Sequence, residues 1–137
     1  MTTQPTPDVS SDFLDFWRER HLCFLSTSRK DGTPHLVPVG VTYDPHTSTA
    51  RVITSRTSQK VRNVLGAGPE AAVAVSQVDG RRWTTLEGTA VVRDDPRSVA
   101  DAETRYADRY RQPRPNPERV VIEIKVTRIL GTVRPRS

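Results

Sequence analysis

The stretch LCFLSTSRKDGTPHLVPVGVTY, residues 22–43, decides the fold class of this chain. It contains two runs of apolar and β-branched residues, 22–28 and 35–43, that predict strands. Asp31-Gly32 lies in the turn between them and supplies the backbone freedom that a tight hairpin needs. Pro38 has no backbone N–H to donate, which predicts that the second strand lies at an edge or contains a bulge. The segment therefore indicates an antiparallel sheet.

The rest of the chain continues this pattern. A third strand is predicted at 50–55, a second hairpin joins 71–78 to 83–93, and a long final strand covers 119–130. Hairpins join most of these strands, whereas helical crossovers would be needed for a parallel sheet. The predicted fold class is therefore mainly β (α+β): a six-stranded antiparallel barrel with peripheral helices.

About three helices are predicted at the periphery, over residues 10–20, 57–68 and 95–110. Each has apolar residues at three- and four-residue spacing on one side. Each also begins at a residue able to cap a first turn: Ser10 or Ser11, Thr57 or Ser58, and Asp95. The segment RQPRPNPE, which follows the third helix, cannot be helical because its prolines remove backbone donors.

Length and composition limit the organisation of the chain. With 137 residues it falls within the usual size of one domain. We expect a flexible N-terminal segment at 1–9 and a single domain at 10–137. The hydrophobic fraction of 34% predicts a modest core, to which a dimer interface would add buried surface.

The charge balance favours an anionic partner. The formal net charge is +5, which suits nucleic acid, an acidic membrane surface, or a small molecule with phosphate and carboxylate groups. The apolar runs are too short for a membrane span and the N-terminal residues lack the features of a signal peptide, so we expect a cytoplasmic protein with no membrane partner. The single cysteine, Cys23, excludes an intramolecular disulfide and a cysteine-rich metal site.

Several enzyme classes are excluded by missing motifs. The sequence has no GxGxxG, P-loop, HExxH, CxxC or GxSxG. His21, His35 and His46 lie in three different predicted elements and form no pair with a metal-ligand spacing. No serine or threonine is marked as a nucleophile by its surroundings. We therefore predict neither a metal site nor a catalytic side chain.

One segment does point to chemistry: RVITSRTSQKVRN, residues 51–63. Hydroxyl side chains between Thr54 and Ser58 meet the start of a predicted helix, whose free N–H groups attract anions. Arg56 and Lys60 bring positive charge to the same place, so the segment predicts a phosphate cradle. The alternative is that Thr57 or Ser58 only caps the helix and that the basic side chains are solvated.

These residues also carry a resemblance to a known family. RVIT followed by SQKVRN, then SQVDGRRWTTLEGTAVV and RYADRYRQPRPNPERVVIEI, resemble the split barrels related to pyridoxamine-phosphate oxidase, and within them the branch that uses coenzyme F420. The resemblance covers about residues 12–131. It implies a split β-barrel that forms a homodimer, with cofactor sites at the subunit interface.

The resemblance also implies the residues of the site. Pro38, Val39 and Gly40 are expected against the tricyclic ring. The ribityl chain and phosphate are expected at Arg51, Thr54, Ser55, Gln59 and Lys60. Gln77 and Trp83 are expected to approach the cofactor, from the same subunit or its neighbour.

The implied activity is hydride transfer from reduced F420 to a small conjugated acceptor, with a biliverdin-type tetrapyrrole expected. F420 carries an oligoglutamate tail beyond its phosphate, so it suits a basic chain better than flavin mononucleotide (FMN) does. Arginines near the proline-rich loop could contact that tail or form a solvated loop that docks on the partner subunit: Arg105, Arg109, Arg111 and Arg114.

Two alternatives remain open at this stage. The first is an oxidoreductase or flavin-binding protein of the same fold that binds FMN. The second is a nucleic-acid-binding β-barrel, which fits the basic charge. Such barrels stack bases on exposed aromatic side chains of a strand face, and this chain has only eight aromatic residues: two Trp, three Tyr and three Phe. We therefore expect no nucleic-acid partner.

Overall fold

The computed structural model describes residues 9–136. The predicted flexible segment 1–9 thus lies outside the described residues except for Val9, which packs against the core. Within the described part the strands are β1 Cys23–Ser28, β2 Pro34–Val39, β3 Thr42–Asp44, β4 Thr49–Ser55, β5 Ala71–Asp79, β6 Arg82–Arg93 and β7 Arg119–Gly131. The α-helices are α1 Ser11–Phe16, α2 Gln59–Ala67 and α3 Pro96–Arg109, and one 3-10 turn covers Gly68–Glu70.

The strands form one antiparallel sheet in the order β2-β1-β5-β6-β7-β4-β3. A flat sheet would separate its two edges by six strand spacings, about 29 Å. Only three Cα steps lead from Val39 at the end of β2 to Thr42 at the start of β3, a reach of at most about 11 Å. The sheet must therefore curl until its edges meet, which makes it a barrel split between β2 and β3.

The antiparallel β class with three α-helices is confirmed, but the count of six strands is wrong. The predicted strand at 35–43 is interrupted at Gly40 and Val41, so that β2 pairs with β1 and β3 pairs with β4. At the interruption the N–H of Val41 is donated to the Tyr110 hydroxyl, 3.1 Å away, instead of to a strand. Pro38 lies on an edge strand, as predicted.

The core fills the inside of this barrel. Alternate side chains of the central strands are fully buried there, including Leu25, Val75 and Leu86. Helix α1 closes one side with Phe13 and Phe16, which are also fully buried. The helix is shorter than predicted because the charged residues after Trp17 have no apolar side chain to bury and continue only as turns.

The other two helices begin where local sequence predicted. The Ser58 hydroxyl accepts from the N–H of Val61 at 3.4 Å, and the Asp95 carboxylate accepts from the N–H of Ser98 at 3.0 Å. Helix α3 ends at Arg109, and the proline-rich segment 111–118 that follows contains no helix, as expected. In the part of the chain that the structure describes, no helix is long and apolar enough to cross a membrane.

Candidate cofactor site

A cavity of about 490 Å³ opens where the barrel is split, which is within the size range of small-molecule sites. The ends of β2 and β4, the first turn of α2, helix α3 and the proline-rich segment all contribute to it. We call it the cofactor cavity. Its lining residues are Pro38, Val39, Gly40, Ile53, Thr54, Ser55, Lys60, Tyr106, Arg111, Gln112, Pro113, Arg114, Asn116 and Arg119.

One wall of the cavity is formed by the end of β2 and by Tyr106 of α3. A Cβ atom added at Gly40 would lie 2.8 Å from the Tyr106 ring and 3.2 Å from the Tyr110 ring, so only glycine lets helix and strand approach this closely. The two tyrosine rings lie against each other, with centroids 5.0 Å apart. The wall therefore offers backbone and aromatic surface for a flat ring.

The hydroxyl groups in the cavity belong to a hydrogen-bonded scaffold. Thr54 Oγ1 donates to Ser58 Oγ at 3.2 Å, and Ser58 Oγ in turn caps the first turn of α2. On the other side, Asn116 Nδ2 donates to Ser55 Oγ at 2.9 Å, which ties the proline-rich segment to the end of β4. The start of α2 is thus held at a defined place in the cavity, with free helical N–H groups nearby.

The charges that line the cavity are all positive: Lys60, Arg111, Arg114 and Arg119. Arg119 forms an ion pair with Glu103 at 2.8 Å. Within residues 9–136, the other three cations have no carboxylate within ion-pair distance. Burial lowers the pKa of the Lys60 ammonium below its ordinary value. A group with phosphate or carboxylate oxygens would neutralise this cavity.

Two residues predicted to bind cofactor lie in the core instead. The Arg109 guanidinium donates to the carbonyls of Glu19 and Val41, at 2.9 and 2.6 Å, and to Gln77 Oε1 at 2.7 Å. Gln77 Nε2 donates to the carbonyl of Phe16 at 2.9 Å. With 7% and 1% of their surface exposed, Arg109 and Gln77 have no face toward the cavity. Both residues have a structural role within this subunit, and their contacts with a cofactor stay predictions.

This buried network holds the interruption between β2 and β3. The Val41 carbonyl accepts a hydrogen bond from Arg109, and the Val41 N–H donates to the Tyr110 hydroxyl. The same hydroxyl donates to the carbonyl oxygen of His21, 2.7 Å away. Burial is the main reason why the pKa of Tyr110 is raised well above its ordinary value. The neutral phenol therefore persists as a hydrogen-bonding group, and the backbone beside Gly40 is fixed from both sides.

Four further predicted residues also lie outside the cavity lining. Arg51 is covered by α3 and lies 3.8 Å from Asp101 and 3.7 Å from Glu123. Arg56 points outward to Glu118, 3.0 Å away. Gln59 and Trp83 are on other surfaces: Gln59 donates to Asn63 at 2.7 Å, and Trp83 is 38% exposed at the start of β6.

The remaining predicted residues do line the cavity: Pro38, Val39, Gly40, Thr54, Ser55 and Lys60. Their contacts with a cofactor stay predictions. Sequence reasoning did not place Tyr106, Asn116 or Arg119 in the site. Tyr106 fitted the apolar side of a helix equally well, and no local motif marks Asn116 or Arg119, which reach the cavity only through the path of the proline-rich segment.

Comparison with known proteins agrees with this architecture. The family model described as pyridoxamine 5'-phosphate oxidase matches residues 10–132. The chain belongs to this family. The resemblance noted from the sequence is thereby confirmed.

Two members named for F420 are among its relatives. The F420H(2)-dependent biliverdin reductase of Mycobacterium tuberculosis (strain CDC 1551 / Oshkosh) is 54% identical over 127 residues, 93% of this chain and 90% of that protein. A solved F420 reductase has a TM-score of 0.70 at 26% identity, covering 89% of this chain and 98% of its own. The fold is shared by the conserved hypothetical protein Rv2991 from Mycobacterium tuberculosis. Its structure has a TM-score of 0.72 at 22% identity, covering 93% of this chain and 88% of its own.

The structural role of Arg109 can be tested by stability. We expect Arg109→Met to lower the free energy of unfolding by about 3 kcal/mol, because it removes the guanidinium hydrogen bonds to the carbonyls of Glu19 and Val41 and to Gln77 from a largely buried network. The matched variant Arg111→Met removes an exposed charge two residues away and should change stability by less than about 0.5 kcal/mol. Urea unfolding followed by tryptophan fluorescence measures both. Equal stability of the two variants would contradict the structural role.

Proposed function

We propose that this protein is a coenzyme F420-dependent reductase that transfers a hydride from reduced F420 to a conjugated acceptor, with biliverdin as that acceptor. The observation that carries the proposal is the cofactor cavity. Its lining combines a wall for a flat ring with three cations that have no carboxylate partner within residues 9–136, and one of these, Lys60, lies in the first turn of α2. The identity of 54% to an F420H(2)-dependent biliverdin reductase, over 93% of this chain, supports the choice of cofactor and acceptor.

The residues present fit such a cofactor. Lys60 is a half-buried cation without a carboxylate partner in the described chain, as expected of a residue that binds a phosphate group. In the proposal Lys60, Thr54 and Ser55 hold the phosphate and the adjoining ribityl chain. Pro38, Val39 and Gly40 hold the ring. When bound, the deazaflavin supplies the hydride, and the protein supplies position, charge and exclusion of competing reactions.

No side chain is assigned as an acid or a base. Apart from the Tyr106 phenol, the ionisable groups among the residues lining the cavity are one lysine and three arginines. Their part in the proposal is electrostatic. Arg111 and Arg114 are exposed on the proline-rich segment and form a basic rim, which suits the propionates of a tetrapyrrole acceptor.

A titration with each cofactor and a turnover assay test the function. We expect the pure protein to bind F420 more tightly than FMN, because F420 adds several carboxylates to the single phosphate that FMN offers to these cations. The protein should catalyse the reaction of reduced F420 with biliverdin, and loss of the tetrapyrrole absorbance measures this turnover. Tight FMN binding without any response to F420 would instead support the FMN-dependent alternative.

Lys60 provides a test of the phosphate site. We expect Lys60→Ala to weaken F420 binding at least about tenfold, which equals loss of about 1.4 kcal/mol. Because burial lowers the pKa of Lys60, the affinity of the unaltered protein should begin to fall at alkaline pH, before the pH reaches the ordinary lysine pKa of about 10.4.

Lys60→Arg is the matched control. Arginine keeps its charge throughout this range, so the fall in affinity at alkaline pH should be smaller in this variant than in the unaltered protein. Fluorescence titration at each pH measures all three proteins, and ionisation of the cofactor itself affects them equally. Unchanged affinity in a folded Lys60→Ala protein would mean that the phosphate is held elsewhere.

We also propose a homodimer in which the outer face of the sheet is the interface. Strand pairing places Phe24, Ser76, Thr85 and Leu130 in one row, with Leu36 in the next. Phe24, Leu36 and Leu130 are 45%, 64% and 39% exposed, while the residues between them are small or polar. Apolar side chains on a continuous sheet face favour a protein partner.

The proposed dimer can be tested by placing negative charges on the outer face of the sheet. A double variant with Phe24→Asp and Leu36→Asp should be a monomer of about 15.4 kDa by light scattering, while the unaltered protein should have twice that mass. Leu65→Asp is the control, because Leu65 is 63% exposed on α2 and away from the outer face. A dimeric double variant would contradict this interface.

Two remaining proposals concern organisation. We propose that residues 10–137 act as one cofactor-binding domain, which the single sheet and shared core support. We propose a cytoplasmic location, which suits a small reductase without disulfides. The nucleic-acid alternative loses support because the exposed aromatic side chains Phe24 and Trp83 belong to the outer face assigned to the dimer.

A further inference from the structure

A second cavity, of about 600 Å³, lies between the β1–β2 hairpin and α2. We call it the hairpin cavity. It shares no lining residue with the cofactor cavity, and no part of the proposed function has used it. It is lined by Ser28, Arg29, Lys30, Gln59, Arg62, Asn63, Gly66 and Ala67.

Helix α2 separates the two cavities. Gln59, Arg62, Asn63 and Gly66 follow the three- and four-residue spacing of one helix face, and this face lines the hairpin cavity. Lys60 lies about 100° further round the helix and lines the cofactor cavity. Helix α2 therefore places Lys60 at the cofactor cavity and Arg62 at the hairpin cavity.

The hairpin cavity is positively charged. Its ionisable lining residues are Arg29, Lys30 and Arg62. In the described chain none of these three forms an ion pair with a carboxylate. Asp31 belongs to the same turn, but its carboxylate accepts from the N–H and the hydroxyl of Thr33. The cavity thus carries three positive charges that a polyanion would neutralise.

Neutral groups hold two of these cations in place. Arg29 Nη1 donates to the carbonyl of Pro34 at 2.6 Å. Arg62 donates to Gln59 Oε1 at 2.7 Å and to the carbonyl of Thr57. These acceptors orient the guanidinium groups without cancelling their charge, so the remaining N–H donors are preorganised for an anion.

The floor of the hairpin cavity is equally fixed. Asn63 is 6% exposed, and its amide accepts from Gln59 Nε2 at 2.7 Å and donates to Thr27 Oγ1 at 2.9 Å. This chain of contacts joins α2 to the inside of β1. The cavity is therefore part of the folded barrel and does not depend on a loose surface loop.

We propose that the hairpin cavity binds the oligoglutamate tail of F420. Gln59 and Arg62 of the hairpin cavity and Lys60 of the cofactor cavity all belong to the first turn of α2, and Arg62 also donates to the carbonyl of Thr57 just before that turn. A chain of carboxylates attached to a phosphate at Lys60 would be neutralised by Arg62, Lys30 and Arg29 if it crossed this first turn. This inference rests on the proposed function and assigns the tail to residues distinct from the phosphate ligands.

Comparison of two cofactor forms tests the proposal. The protein is titrated with F420 that carries several glutamates and with the form that carries none, and fluorescence gives each dissociation constant. The tailed form should bind more tightly at low salt. In a double variant with Lys30→Gln and Arg62→Gln, the affinity for the tailed form should fall about three- to tenfold, and the affinity for the tailless form should stay within about twofold.

Matched variants separate this site from others. Arg97→Gln removes an exposed charge from α3 that lines neither cavity, and should leave both affinities unchanged. Lys60→Ala should weaken both cofactor forms by a similar factor, because both carry the phosphate. This pattern, with tail dependence lost only in the double variant, would support the proposal.

Other outcomes would overturn it in different ways. If the double variant weakens both forms equally, or the unaltered protein does not distinguish them, the tail is not bound here although F420 still is. Loss of tail dependence in an Arg111→Gln, Arg114→Gln variant would place the tail on the proline-rich segment. A raised KM for biliverdin with unchanged F420 affinities would assign the cavity to the acceptor's carboxylates. Absence of binding by either form would overturn the proposed function as well.

Discussion

The connection between β2 and β3 is the constraint on which the rest of the structure depends. Two residues join the opposite edges of a seven-stranded sheet, so the sheet has to curl into a split barrel. Hydrogen bonds from Arg109 and to Tyr110 hold this connection at Val41, and the absence of a Cβ at Gly40 lets α3 pack against it. The cofactor cavity lies at this split, so the interactions that close the barrel also shape one wall of the site.

The first turn of α2 is the second organising feature. Its Ser58 cap and the Thr54 hydroxyl fix the position of the helix. Lys60 lines the cofactor cavity on one side of the helix, and Arg62 lines the hairpin cavity on another. A helix start already favours anions through its unpaired N–H groups. Cations on both sides of that start add to this attraction, so the short helix suits a ligand with several separated negative charges.

Local features of this fold could be predicted from sequence, whereas long-range partners could not. The hairpin turn at Asp31-Gly32, the edge position of Pro38 and the cap at Ser58 each depend on neighbouring residues alone. The break at Gly40 and the burial of Arg109 depend on each other across the fold, because Arg109 lies 68 positions from its acceptor at Val41. A basic residue near a predicted site resembles a ligand until its counter-ions or carbonyl partners are known.

The distribution of paired charge, more than the net charge of +5, distinguishes site residues from scaffold residues. Carboxylates lie beside Arg51, which is covered by α3, and beside the more exposed Arg56 and Arg82, so these cations hold helices, strands and turns together. In the described chain the cations that line the two cavities are mostly without carboxylates, and around α2 those without them are Arg29, Lys30, Lys60 and Arg62. Leaving such charges unpaired opposes folding through mutual repulsion, and a bound polyanion removes that repulsion. The arrangement is therefore understandable as a scaffold whose electrostatics are completed by its ligand.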